Sequence, residues 1–153
     1  MIIKKLLPIL VFVFLTSCGY QSIYSQKNLS NISITKIELV GDRTLNKSLL
    51  SQLVLEVDND PNLNNVLVLN TKKEILSLSK DNAGNTKIYN TKITTTLSLK
   101  KNDKIIKKKT FVSNFDYSNI DNKFALQQYQ RNIEQNLIKR ISENILIFLI
   151  SIK

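Results

Sequence analysis

The sequence contains no histidine, no tryptophan and a single cysteine among its 153 residues. Without histidine it has neither a Ser-His-Asp triad nor a Cys-His pair, and one cysteine gives no internal disulfide and no zinc site of cysteine and histidine. Its three glycines do not form a phosphate-binding glycine motif. The acidic residues Glu38, Glu56 and Glu74 are scattered, without a paired motif for acid–base chemistry. We therefore predict a non-enzyme, with no catalytic residues, no metal site and no cofactor.

Positive charge is the property that the chain has in excess. Lysine and arginine number 22 against 12 acidic residues, so the formal net charge is +10. Such a surface attracts nucleic acid, lipid headgroups, phosphorylated glycolipids or acidic proteins. The abundance of lysine, asparagine and isoleucine is also what an AT-rich genome alone would produce. The length suits one domain with a modest core.

The first residues have the pattern of an export signal. Lys4 and Lys5 precede a ten-residue apolar run over 6–15, which is too short to span a bilayer as a helix. The run ends in Leu15-Thr16-Ser17-Cys18, the pattern of a bacterial lipobox. We predict a lipoprotein signal peptide over 1–17 and lipidation of Cys18, because a thiolate is the nucleophile that accepts the diacylglyceryl group. The alternatives are an ordinary signal peptide and a buried structural cysteine.

Removal of the signal peptide leaves a mature chain with a net charge of 20 − 12 = +8. Position 19 is glycine rather than the aspartate that retains enteric lipoproteins at the inner membrane, so the predicted destination is the outer membrane. The polar segment 18–31 is predicted to be a lipidated tether, and 32–153 a single domain.

Strand and helix patterns alternate in the first part of this domain. Apolar alternation predicts a strand over 32–39, and leucines spaced by four predict a helix over 44–57, with Asp42 as its N-cap and the segment 58–61 as its stop. Three more strands follow as a meander, over 66–79, over 86–100, and in a last strand with Phe111, Phe115 and Tyr117 on one face. Turns are predicted at 81–85 and at 102–103.

Residues 121–150 are the longest predicted helix. Its apolar stripe consists of Leu126, Tyr129, Ile133, Leu137, Ile141, Ile145 and Phe148. The apolar run over 145–150 is enclosed either by this domain or by a partner or lipid. The order β-α-β-β-β-α predicts an α+β two-layer sandwich, with both helices on one face of a four-stranded, mainly antiparallel sheet and a polar opposite face.

Six lysines cluster around the predicted turn at 102–103. They are Lys100, Lys101, Lys104, Lys107, Lys108 and Lys109. Alternation places Lys108 on the face opposite Phe111 and Phe115, and Lys107 and Lys109 on the aromatic face. The cluster is either a site for anionic groups or a solvated edge hairpin whose lysines discourage aggregation.

The chain resembles the LPS-assembly lipoprotein family LptE, the small subunit of the outer-membrane lipopolysaccharide translocon. The resemblance rests on the lipobox with Cys18-Gly19-Tyr20, the order of strands and helices, and the amphipathic last helix. The stretch 111–145 is similar to alphaproteobacterial members, with an aromatic strand that ends at Tyr117, then Phe124-Ala125, Gln130-Arg131 and residues 141–145. The resemblance covers essentially the whole mature chain.

This resemblance implies a function and its partners. Such proteins are anchored in the outer membrane, face the periplasm and the lumen of an LptD-type β-barrel, plug that barrel, support its assembly and bind lipopolysaccharide partly through basic side chains. The six clustered lysines are then the candidates for binding lipopolysaccharide. Export argues against nucleic acid as a partner. The alternative is a generic envelope lipoprotein that acts as a periplasmic scaffold or adaptor on a similar sandwich.

Overall fold

The structure is a computed structural model that describes residues 33–60 and 62–152. The chain forms, in order, strand β1 (Lys36–Gly41), helix α1 (Arg43–Leu53), strands β2 (Asn65–Lys80), β3 (Thr86–Lys101) and β4 (Lys104–Ser118), and helix α2 (Lys123–Ser151). This is the predicted β-α-β-β-β-α order. The predicted signal peptide (1–17), the predicted tether (18–31) with Cys18, and Ile32 lie outside the described residues.

The four strands form one mixed sheet in the order β1-β2-β3-β4. β1 runs parallel to β2, whereas β2–β3 and β3–β4 are antiparallel, so the predicted meander and the mainly antiparallel sheet are confirmed. β1 pairs with only part of β2, from Val66 to Thr71. We call the end of the sheet with the β3–β4 turn the proximal end, and the end with the β2–β3 turn the distal end.

Both helices pack on one face of this sheet, as predicted, and we call the other side the open face. Leucine and isoleucine side chains of β2 and β3 meet those of both helices in a single core, whose fully buried members include Leu49, Leu53, Leu67, Leu69, Ile93, Leu97, Ile138, Ile141 and Ile145. The open face carries mainly polar side chains, among them Lys72, Thr94, Thr96, Thr110 and Asn114.

Helix α1 begins where the sequence predicts and ends earlier. The Asp42 carboxylate caps it by accepting hydrogen bonds from the backbone N–H groups of Thr44 and Leu45, each at 3.0 Å. The predicted end at 57 is wrong, because Val54 adopts a left-handed conformation directly after Leu53. This early stop lets the chain return to the sheet, where Val57 forms a parallel bridge with Ile34.

The first strand also differs from its prediction over 32–39. β1 begins at Lys36, and Ile34 is buried in an isolated bridge before it. The backbone N–H of Thr35 donates to the carbonyl of Asn65 at 2.9 Å, which moves the chain from its contact with Val57 to β2. The apolar positions 32, 34, 37 and 39 depart from strict alternation near Lys36, and this change of partner accounts for the departure.

Both predicted turns are confirmed. Asp81 organises the distal turn, because its carboxylate accepts hydrogen bonds from the backbone N–H groups of Ala83 and Asn85 at 2.9 and 2.8 Å. Gly84 takes a positive φ of 86° there. Asn102 and Asp103 form the proximal turn, between paired Lys101 and Lys104.

Helix α2 begins after Asn122, whose side chain caps the N–H groups of Phe124 and Ala125. The central part of the predicted stripe is buried, whereas Leu126 and Phe148 are half-buried and Tyr129 is more exposed. In the apolar run at its end, residues 145, 146 and 149 are buried in the domain, and Ile147 and Ile150 are exposed. No helix in the described ranges is long and apolar enough to cross a membrane.

Candidate functional site

The candidate site is the hairpin over residues 100–109, which we call the lysine hairpin. Asn102 and Asp103 have positive φ angles of 49° and 63°, as the two central residues of a type I′ turn do. This turn matches the twist of paired strands, so β3 continues into β4 without a longer loop. The lysines are therefore held on paired backbone.

The strand register distributes the six lysines over both sides of the hairpin. Lys100 and Lys108 lie on the open face, Lys107 and Lys109 lie on the helix-covered face, and Lys101 and Lys104 flank the turn. The predicted alternation of residues 107–109 is thus the one that the structure has. The hairpin brings all six candidate lysines together at the proximal end.

No lysine of this hairpin forms an ion pair among the described residues. The ion pairs among the described residues are Lys36–Glu38, Lys73–Glu134 and Lys92–Glu74, and none includes a lysine of the hairpin. Residues 100–109 contain six lysines and one aspartate, a net charge of 6 − 1 = +5. Lys100 is half-buried and the other five are exposed, so their ammonium groups are available to an external anion.

Lys109 has an additional contact that the other five do not show. Its Nζ lies 4.7 Å from the ring centroid of Phe148 and 5.4 Å from that of Phe111. A cation over an aromatic face is attracted by the ring quadrupole. Lys109 therefore joins β4 to the end of α2, and it has a structural role besides its charge.

Sequence reasoning missed two residues of this site, Ile105 and Ile106. The β3–β4 register passes from Leu99 opposite Lys107 to Lys100 opposite Ile105, so Ile106 is the extra residue of a β-bulge. The two isoleucines are 55% and 48% exposed. The sequence shows these two isoleucines between lysines. Strict alternation would place one of the two side chains on the helix-covered face, so it does not predict that both are exposed.

The chain enters the domain at this same end. The Asn65 side-chain amide donates to the carbonyl of Ser33 at 2.8 Å, and the backbone N–H of Asn102 donates to the carbonyl of Asn64 at 3.1 Å. Through these hydrogen bonds, the neighbouring residues Asn64 and Asn65 link Ser33, the first described residue, to the proximal turn.

The part of the chain that the structure describes contains no group of three or more His, Cys, Asp or Glu residues that could hold a metal ion. The site offers ammonium groups and apolar side chains. This combination is chemically suited to an anionic amphiphile, because ammonium groups pair with phosphates and isoleucines pack against alkyl chains.

Several solved structures share this fold, among them three bacterial lipoproteins. Rare lipoprotein B from Shewanella oneidensis is 16% identical with a TM-score of 0.57, and the match covers 76% of this chain and 94% of that one. A minor lipoprotein from Acinetobacter baumannii is 15% identical with a TM-score of 0.59, covering 78% and 93%. Lipoprotein B from Nitrosomonas europaea is 11% identical with a TM-score of 0.57, covering 84% and 88%.

No protein-family model and no curated protein sequence matches the chain. At these low identities the solved structures establish the fold. The resemblance to the LptE family that the sequence predicts is thus confirmed as a resemblance of fold, and the chain has the architecture of the rare lipoprotein B structures.

Proposed function

We propose that the protein is an outer-membrane lipoprotein that plugs an LptD-type β-barrel, supports the assembly of that barrel, and binds lipopolysaccharide in transit to the outer leaflet. The observation that carries this proposal is the shared fold, which extends over nearly the whole length of the rare lipoprotein B structure. It agrees with the LptE resemblance of the sequence, which rests on the lipobox as well as on the predicted order of strands and helices.

The proposed anchor is the lipid on Cys18. Each buried CH₂ group contributes ~0.8 kcal/mol to membrane attachment, and stable anchoring needs more than one acyl chain. Lipidation at a lipobox supplies two chains on the thiol and a third on the freed α-amine. We propose that the domain is thereby held at the periplasmic side of the outer membrane.

The open face of the sheet supports a position inside a barrel. The lumen of a large outer-membrane barrel is polar, so a protein that fills it needs a polar surface. Thr94, Thr96 and Thr110 lie in the middle of the open face, and the hydroxyls of Thr96 and Thr110 are hydrogen bonded at 3.0 Å. A broad face of this kind is able to pack in a hydrated lumen without exposing the core.

The lysine hairpin supports binding of lipopolysaccharide. The lipid carries phosphates and acyl chains, and the hairpin presents unpaired ammonium groups beside two exposed isoleucines. We propose Lys100, Lys101, Lys104, Lys107, Lys108 and Lys109 as its binding residues, with Lys109 restrained by its contact with Phe148.

Co-purification tests the barrel partner. Tagged full-length protein is extracted from membranes in mild detergent, and the bound proteins are identified by mass spectrometry. We expect a large outer-membrane β-barrel with the parent, and little or none with Cys18→Ala, which should accumulate as an unacylated precursor by intact mass. Retrieval of other envelope proteins without a barrel would favour the scaffold or adaptor alternative.

Lipopolysaccharide binding is tested by replacing Lys104, Lys107 and Lys108 together with glutamine in the full chain. Each exposed ion pair contributes roughly 0–1 kcal/mol, so we expect the triple variant to bind about tenfold more weakly. The difference should shrink at high salt, which screens exposed charges.

The matched control removes the same charge from the distal half, by replacing Lys72, Lys80 and Lys87, which are also exposed. Circular dichroism checks that both variants fold. Equal binding by the two triple variants would show that the lysine hairpin is a solvated edge and that lipopolysaccharide binds elsewhere.

A further inference from the structure

We propose that the proximal end of the domain docks on the anionic phospholipid surface that holds its own lipid anchor. In this arrangement Ile105 and Ile106 enter the interfacial layer, and the lysines around them meet headgroup phosphates. The inference rests on the lipidation of Cys18 in the proposed function. It assigns the lysine hairpin a second ligand, a bilayer surface, which needs neither lipopolysaccharide nor a barrel.

The position of the chain before β1 is the first argument. Ser33 contacts Asn65, and Asn64 contacts Asn102 of the turn, so about two strand spacings, ~10 Å, separate the entering chain from the hairpin. The 14 residues between Cys18 and Ser33 reach at most ~50 Å. The distal end lies about 50 Å farther along the 16-residue strand β2. The chain to the anchor therefore leaves the domain close to the lysine hairpin and far from the distal end, which favours the hairpin as the part that meets the bilayer.

The apolar side chains at this end are the second argument. The bulge leaves Ile105 and Ile106 exposed at the tip of a hairpin with a two-residue turn. Ile147 and Ile150, near the end of α2, are exposed as well. Apolar side chains among lysines are the composition of surfaces that lie at a membrane interface, because the alkyl groups enter the headgroup boundary while the ammonium groups stay at the phosphates.

The distribution of charge is the third argument. The hairpin carries +5 with the Asp103 of its turn included, whereas Glu38 and Asp58 lie toward the β1 side. Glu38 is hydrogen bonded to Lys36 at 2.8 Å, and this contact lowers the pKa of the Glu38 carboxyl. Asp58, in the segment after α1, donates its backbone N–H to Ile34. Unmatched positive charge is thus concentrated on the β3–β4 side of the sheet, and this is the side that an anionic surface attracts.

The test uses the full lipidated chain with one added cysteine. Because Cys18 is the only natural cysteine and lipidation consumes its thiol, Ile106→Cys gives a single site for an environment-sensitive fluorophore. The labelled protein is reconstituted into vesicles of phosphatidylcholine with phosphatidylglycerol, without lipopolysaccharide and without a barrel. Brominated lipids then report whether the label touches the hydrocarbon boundary. Leu78→Cys is the matched control, since Leu78 is 53% exposed and lies at the distal end.

We expect blue-shifted emission and strong quenching of the label at position 106, and neither at position 78. Each lysine at an anionic surface is worth a factor of about five in docking, equivalent to ~1 kcal/mol. Adding the Lys104, Lys107 and Lys108 replacements to Ile106→Cys should therefore weaken docking about a hundredfold. The quenching at position 106 should also be weaker in vesicles of pure phosphatidylcholine, and weaker at high salt.

Equal quenching at positions 106 and 78, or none at either, would overturn the inference. Quenching at 106 that appears only after lipopolysaccharide is added would also overturn it, while it would support the proposed function. Conversely, quenching in phospholipid vesicles by a protein that retrieves no barrel and binds no lipopolysaccharide would leave the inference standing and reject the proposed function.

Discussion

The proximal and distal halves of the β2–β3 hairpin are both paired, with register shifts only over 77–80, yet their burial differs strongly. On the helix-covered face, Leu69 and Leu97 of the proximal half are completely buried. On the same face of the distal half, Ile75 is 43% exposed. The backbone does not account for the difference, because β2 and β3 are paired along both halves. What differs is the cover, since β1 stops opposite Thr71 and α1 lies over the proximal half.

The distal half relies more on polar and aromatic contacts. The Tyr117 hydroxyl accepts hydrogen bonds from Thr91 at 3.1 Å and from Gln130 at 2.9 Å. Its ring stacks on Tyr89 at a centroid distance of 5.6 Å and meets Tyr129 edge-on at 5.8 Å. Such contacts hold β3, β4 and α2 together, but they bury less apolar surface than the proximal core. The domain therefore presents its lysine hairpin on the more stable half, and local opening should begin at the distal half.

The largest expected effect is a contrast between Leu69→Ala and Ile75→Ala. Both residues lie on the helix-covered face of β2, and only the first is fully buried. Leu69→Ala should lower the free energy of unfolding by ~2–5 kcal/mol, through lost transfer energy and an internal cavity. Ile75→Ala should cost about 1 kcal/mol, because part of its side chain already meets water. Urea denaturation measures both variants.

The same burial argument extends to helix α2. Leu137 is buried in the central part of this helix, so Leu137→Ala should also lower the free energy of unfolding by ~2–5 kcal/mol. Asn136 lies on the exposed side, so Asn136→Ala should change it by at most ~0.5 kcal/mol. If Ile75→Ala proved as destabilising as Leu69→Ala, the distal half would be as well packed as the proximal half and the comparison would fail.

A smaller difference in stability is expected between the alanine variants of Gly41 and Gly84, the two glycines with positive φ. Gly41 has φ 83° and Gly84 has φ 86°, so alanine meets a similar backbone penalty of ~1–2 kcal/mol at each. An added Cβ at Gly41 would lie 2.3 Å from the carbonyl oxygen of Thr71, whereas at Gly84 nothing lies within 4 Å. Gly41→Ala should therefore cost ~1–3 kcal/mol more than Gly84→Ala, because the backbone must shift where β1 meets β2.

Thermal or urea unfolding of the two alanine variants measures this difference, with the wild-type chain as reference. The close approach of Gly41 to Thr71 matters because the next residue, Asp42, binds the same Thr71 oxygen. The backbone N–H of Asp42 donates to it at 2.8 Å, and the side chain of Asp42 caps α1. Equal losses for the two variants would mean that β1 moves aside easily and does not fix the start of α1.

Local patterns in the sequence predict most of this fold because several elements are set by neighbouring residues. The spacing of Ile133, Leu137 and Ile141 identifies the buried side of α2, and Asp81 with Gly84 identifies the distal turn. The six lysines are recognised as one site because they flank a two-residue turn, so that pairing must bring them together.

Features that depend on distant partners were not predictable in the same way. The helical pattern of α1 continues past Leu53, but the chain leaves the helix so that Val57 reaches Ile34, 23 positions earlier. The bulge at Ile106 depends on the register of β4 against Lys100. The residues next to Val57 and to Ile106 do not indicate either pairing. The exposure of Ile105 and Ile106 follows from the register of β4.

The smallest expected effect is a pH dependence confined to the distal turn. Hydrogen bonds from the Asn85 backbone and side chain, with those of Ala83 and Gly84, lower the pKa of the Asp81 carboxyl below its ordinary value. Because the folded pKa is lower than the unfolded one, the carboxylate contributes stability above the ordinary aspartate pKa and loses it as pH falls through the folded value. Amide protection factors across 79–86, measured against the intrinsic exchange rate at each pH, should therefore fall in this acidic window, while those of residues 67–69 in the proximal half stay constant. In Asp81→Asn the pH-dependent part should disappear, since an amide does not titrate there. Loss of protection in both halves over the same window would instead show that the hairpin opens as one unit, and the distal half would then have no separate stability.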